Sequence, residues 1–118
     1  MIVPAVLLAG AAGAVLRYLV SRAFASRTGF PWAVLVVNIV GSAIGGTVLG
    51  LAQRGGLGDD LRLVLLTGLC GGFTTFSTWS VETIQLLLDG KVRVAVLSVS
   101  GNLVLGIGVA AVAYLLAA

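Results

Sequence analysis

Gly68-Leu69-Cys70-Gly71-Gly72-Phe73-Thr74-Thr75-Phe76-Ser77-Thr78-Trp79-Ser80-Val81-Glu82 lies inside an apolar run that extends from Leu63 to Leu88. Adjacent glycines followed by two threonines are poor material for a continuous helix, because Gly costs about 1 kcal/mol against Ala and β-branched Thr is stiff at χ1. The spacing predicts a helix broken near its middle. In lipid such a break is tolerated only where the freed carbonyls meet protein, water or an ion, and in transporters half-helix ends of this kind coordinate cations. Close packing is the other reading of the same glycines. Gly68 and Gly72 are spaced as small-xxx-small, as are Gly41 with Gly45 and Gly46 with Gly50, and small residues let helices approach closely.

Past the glycines, Phe73, Phe76 and Trp79 recur every three residues, and Thr78 and Glu82 are four apart, so one helix would carry an aromatic edge beside a hydroxyl-to-carboxylate edge. Ring edges are positive and can face an anion without trapping it as a full charge would. Hydroxyls of Thr75, Ser77 and Thr78 can donate hydrogen bonds to the same anion. The alternative is aromatic packing on a neighbour, with hydroxyls bonded back to i−4 carbonyls.

The surrounding chain is written for lipid. Of 118 residues, 59% are hydrophobic and 9% charged, too few polar groups to cover a soluble globule. A hydrocarbon core of about 30 Å takes about 20 apolar residues per helix, and the apolar runs fall at about 3–24, 32–52, 63–88 and 92–116. The fold class is therefore all-α integral membrane, a single membrane domain over 1–118 with four transmembrane helices, the third broken mid-membrane. Gly29 and Pro31 separate the first two spans, and Asp59 and Asp60 suit the start of the third. The short Asp89-Gly90-Lys91 turn makes spans three and four antiparallel neighbours. No repeat relates the two halves. The first span resembles a signal peptide only superficially, since no basic segment precedes it and its apolar run continues past any cut.

Charge adds topology rather than partners. The net charge is +3, but the basic residues stand singly near the ends of apolar runs, which fits lipid headgroups and orientation, not nucleic acid. Arg54 and Arg62 lie on the side of the termini, and Arg22, Arg27, Lys91 and Arg93 on the other, a bias small enough to permit insertion in both orientations. The single cysteine, Cys70, has no ligand-spaced neighbours, histidine is absent, and no paired carboxylates occur. These absences argue against zinc chemistry, triad hydrolysis and general acid-base catalysis, hence against an enzyme.

Four further polar residues stand out. Asn38 is flanked by Val36-Val37 and Ile39-Val40, and its amide must either bond across helices or meet a passing ion. Asn102 in the last span has the same two readings. Glu82, one to two turns from the end of its span, reads as a solvated rim residue or a pathway residue. Arg17 reads as a snorkelling anchor or an anion-attracting vestibule residue.

The stretch Gly68 to Glu82, with Gly10-Ala11-Ala12-Gly13-Ala14-Val15-Leu16-Arg17-Tyr18 and Asn38-Ile39-Val40-Gly41-Ser42, resembles the Fluc fluoride channels, also called CrcB proteins. The resemblance spans nearly the whole chain, and the third-helix motif is the most specific part of it. It implies an antiparallel, dual-topology homodimer with two fluoride pathways and a structural sodium ion at its centre. Gly71 and Thr74 backbone carbonyls from both subunits would hold the sodium. Asn38, Phe76 and Trp79 would line each pathway, with Thr75, Ser77 and Thr78 as hydroxyl donors, Glu82 towards an outer end and Arg17 in the vestibule. Asn102 joins the pathway candidates from its place in the fourth span. The activity implied is passive fluoride efflux across the inner (plasma) membrane, and no ATP motif is present to drive uphill transport. Three departures from the family pattern stand out. Trp79 stands where Phe is usual, Ala33-Val34 where Gly-Thr is frequent, and Ser98 with Asn102 where Tyr with Ser is common. Two other classes are discriminated by residues: a small multidrug exporter needs an acid in the first span, where this chain has Arg17, and a glycine-packed scaffold leaves the aromatic and hydroxyl edge unexplained.

Overall fold

The computed structural model describes residues 2–24, 30–74 and 76–118, with the backbone alone at 76–78. Helix α1 (Ile2–Ala23) has Pro4 in its first turn, where no backbone N–H is needed. Helix α2 (Trp32–Gln53) starts directly after Pro31. It ends in a Schellman turn: Gly55 takes φ 77°, its N–H bonds Ala52 O, and the Gly56 N–H bonds Leu51 O. Asp59 and Asp60 sit at the positive end of the short helix α3 (Asp59–Leu63). The sequence reading opens the third apolar segment at Leu63; the helix opens at Asp59, because these carboxylates favour its first turn.

From Val64 to Cys70 the chain winds as a π-helix, and the N–H of Gly71 reaches back five residues to Leu66 O. One more turn, α4 (Gly71–Phe73), follows. Thr74 then leaves the helix, with φ −91° and ψ 150°, and α5 (Phe76–Leu88) begins after Thr75, which lies outside the described residues. Phe73 and Phe76 therefore do not share a helix face: the three-residue spacing read as one aromatic edge crosses extended backbone. A second Schellman turn closes α5, with Gly90 at φ 79° and bonds from Gly90 N to Leu87 O and Lys91 N to Leu86 O. Helix α6 (Val92–Ala117) completes the chain. Three helices, α1, α2 and α6, are long and apolar enough to cross a membrane, and no strand occurs among the described residues.

Two close helix contacts organise the molecule, and both depend on missing Cβ atoms. A Cβ on Gly46 or Gly50 of α2 would meet the Ala110 or Tyr114 carbonyl of α6. On the other side, a Cβ on Gly68 would meet Val6 and Ala9, one on Gly72 the backbone of Gly10, and one on Gly13 the Leu69 carbonyl and Phe73 N. The glycines of the third segment thus pack against α1, as the small-xxx-small reading expects. The core is thin: Val34, Leu35, Val37, Val48, Cys70, Phe73 and Ala95 are its buried apolar residues. Leu8 (73% exposed), Leu88 (79%) and Leu116 (81%) show how much apolar surface remains outside it, a surface suited to lipid or to another protein and not to water.

Candidate functional site

The break at Thr74 opens onto a groove of about 460 Å³ between α2, α5 and α6, and four of the sequence candidates line it: Asn38, Thr74, Trp79 and Asn102. Each arrives from a different local cause. Asn38 and Gly41 are three apart on α2, hence on one face. Gly41 faces Thr74, where the absence of a Cβ leaves room for the threonine methyl. The carbonyl of Gly41 also receives the Cys70 thiol at 4.0 Å.

The Thr74 hydroxyl has no proton free for an anion. It donates to Cys70 O at 2.8 Å, and the Thr74 N–H bonds the same carbonyl at 2.9 Å. Thr74 thus bonds its own i−4 carbonyl, as does Thr83, which donates to Trp79 O at 2.8 Å; the hydroxyls of Thr75, Ser77 and Thr78, for which such a bond is the alternative to serving an anion, lie outside the described side chains. The backbone at Thr74 also presents main-chain oxygen, since the last carbonyls of a helix lack intrahelical partners and carry its negative end. Gly71 is exposed, one turn before Thr74.

The polar wall of the groove is a hydrogen-bonded chain. Asn38 Nδ2 donates to Asn102 Oδ1 at 2.7 Å, across 64 residues of sequence. Asn102 Nδ2 donates in turn to Ser98 O at 2.7 Å and lies 3.4 Å from Ser98 Oγ. Ser98 is 1% exposed and Asn102 7%. The asparagines tie α2 to α6, and they also line the groove. Ser98 does not line the groove but anchors Asn102 from behind; the sequence marks it as a departure from the family pattern and not as a site candidate, although its i, i+4 spacing from Asn102 on an apolar helix is a legible signal.

The other candidates fall elsewhere. Arg17 is half-buried on α1, and Glu82 is half-buried on α5 with Oε2 enclosed and unbonded among the described residues. Neither lines the groove. Thr75 lies outside the described residues, and so do the side chains of Phe76, Ser77 and Thr78. No group of three or more His, Cys, Asp or Glu side chains forms a metal cluster among the described residues.

Comparison with known proteins adds identity to this geometry. Residues 4–114 match the family described as CrcB-like protein, Camphor Resistance (CrcB). The chain is 43% identical over 104 residues to a fluoride-specific ion channel FluC of Phocaeicola vulgatus, covering 86% of each chain. It is 44% identical over 113 residues to a fluoride-specific ion channel FluC of Thermus thermophilus, covering 92% of this chain and 89% of that one. With the fluoride-specific ion channel FluC of Chlorobaculum tepidum it shares 47% identity over 112 residues, 91% of this chain and 89% of the relative.

Proposed function

This chain belongs to the CrcB family, and from that membership we propose that it forms a passive, fluoride-selective channel with the groove at Thr74 as part of the ion's route. It is an ion channel and not an enzyme, a multi-pass protein of the cell membrane whose transported ion is fluoride. The observation that carries this is the family match over residues 4–114, joined by relatives named as fluoride-specific channels over nearly their whole length.

In this reading the segment from Asp59 to Leu88 is a fourth span, broken at Thr74, in a single membrane domain. Two copies of the chain assemble antiparallel, inserted in opposite orientations, and bring their breaks together. The Gly71 and Thr74 carbonyls of both copies hold a structural sodium ion. The backbone supports this: Thr74 leaves the helix at φ −91° and ψ 150°, and the last carbonyls of a helix lack intrahelical partners. When bound, sodium supplies positive charge where negative helix ends would otherwise face each other.

Fluoride is small and strongly hydrated, so its passage needs donors that replace water and yet release the ion. Asn38 contributes an amide N–H, and Trp79 contributes ring edge and indole. Phe76 adds a second aromatic edge, and Thr75, Ser77 and Thr78 add hydroxyls. Asn102 stands behind Asn38. Arg17 serves the vestibule, where a cation raises local anion concentration, and Glu82 marks the outer end of the route. Reconstituted protein tests the function: fluoride leaves liposomes rapidly and chloride does not, whereas equal release of both ions removes the selectivity.

A further inference from the structure

Within the fluoride-channel reading, on which this step rests, we infer that Asn102 is a positioning residue: through Ser98 and Asn38 it fixes which end of the Asn38 amide the anion meets.

A backbone carbonyl can only accept. Ser98 O, buried in α6 and 2.7 Å from the Asn102 amide, therefore faces the nitrogen, because the reverse orientation would set two oxygens against each other at that distance. With Nδ2 held on Ser98, Asn102 Oδ1 faces α2. An amide oxygen can only accept, so Asn38 must answer with its own Nδ2, at 2.7 Å. The direction of every dipole in the chain is set by one main-chain oxygen.

Asn38 is the end of this chain, on α2. An amide nitrogen has two protons, and only one is used by Asn102. The second N–H and Asn38 Oδ1 have no partner among the described residues, and Asn38 lines the groove. Free to turn, Asn38 could present its carbonyl oxygen, which repels an anion. Held by Asn102, it keeps its nitrogen on the side where donation is possible. Asn102 touches the ion's route but acts through Asn38. Ser98, at 1% exposure, is the fixed point behind both.

Asn38 and Asn102 are the only asparagines in the chain, so labelling with 15N-asparagine isolates the two side-chain amides by NMR. Sodium fluoride titrated against sodium chloride is the probe, on protein in lipid nanodiscs. In the wild type, one Asn38 amide proton stays unmoved by fluoride, the one given to Asn102, while its twin shifts. In Asn102→Leu, which removes both bonds at similar volume, the same shift needs about tenfold more fluoride, and efflux from proteoliposomes falls about tenfold, the loss of one net hydrogen bond. The assignment is overturned if fluoride moves both Asn38 protons alike, or neither, in the wild type. It is equally overturned if Asn102→Leu matches the wild type in shift and efflux. Should the variant fail to assemble, the two-proton test on the wild type decides alone. Wild-type liposomes that release no fluoride would refute the channel reading instead, a distinct outcome.

Discussion

Gly41 has no side chain, and that absence is what seats the break. The Thr74 methyl occupies the space where a Cβ on Gly41 would be, and Thr74 is stiff at χ1 and already bonded to Cys70 O. Gly41→Ala therefore cannot be absorbed by a rotamer change alone. Overpacking of this kind costs about 1–3 kcal/mol, so thermal unfolding in detergent should fall by several degrees and fluoride efflux should drop with it; an unchanged midpoint would mean that α2 does not hold Thr74. Asn38→Ala and Phe76→Ile should suppress efflux while the protein keeps its elution volume, because in the proposed reading both residues line the ion's route. Wild-type efflux in both would show that the route lies elsewhere. At this scale the sequence is only partly readable. Asn38 and Asn102 each carry an open choice between bonding across helices and serving an ion, and nothing in a linear chain pairs residues 64 apart. The same holds for hydroxyls near the break: only the fold shows that Thr74 spends its own on Cys70 O.

Among elements, glycine spacing sets which helices touch. Gly10 and Gly72 face each other, yet they are not equivalent. A Cβ on Gly72 would strike the Gly10 backbone, whereas one on Gly10 would sit 3.7 Å from Gly68 O, in ordinary contact. Gly72→Ala should thus lower stability by about 1–3 kcal/mol through forced separation of α1 from the third segment, while Gly10→Ala should leave it near the wild-type value. Thermal melts of the two variants make the comparison, and equal effects would contradict the geometry. Arg54 makes a smaller contribution, donating from Nη1 to Ala117 O at 3.3 Å at the negative end of α6. Arg54→Ala should cost about 0.3–1 kcal/mol and speed amide exchange in the last turn of α6. The long helices α1, α2 and α6 can be read from their apolar runs, with Gly and Pro marking the ends. The π-helical turns over Val64–Cys70 cannot, because in a uniformly apolar stretch no polar stripe distinguishes the two helical periods. For the same reason Phe73 and Phe76 pass for one face in the sequence, although the glycine-threonine signal places a break between them.

The whole molecule is an incomplete object in water. Its core is thin, its outer leucines are bare, and the groove that holds Asn38 and Asn102 is open to one side. Lipid accounts for the outer surface, and a second, inverted copy accounts for the open side in the reading proposed here. If sodium links two breaks through the Gly71 and Thr74 carbonyls, replacing it by a bulky organic cation should lower the dimer's stability, and identical melting in both salts would remove the metal from the account. Composition alone makes the chain a membrane protein, since 9% charged residues cannot cover a globule, but it leaves the ion unnamed; that comes from the motif at residues 68–82 and from the family. Selective conduction is measured with liposomes loaded with potassium fluoride or potassium chloride. With valinomycin to carry the balancing charge, the account predicts rapid fluoride release and chloride release no faster than from empty vesicles; comparable loss of the two halides, or retention of both, would contradict it.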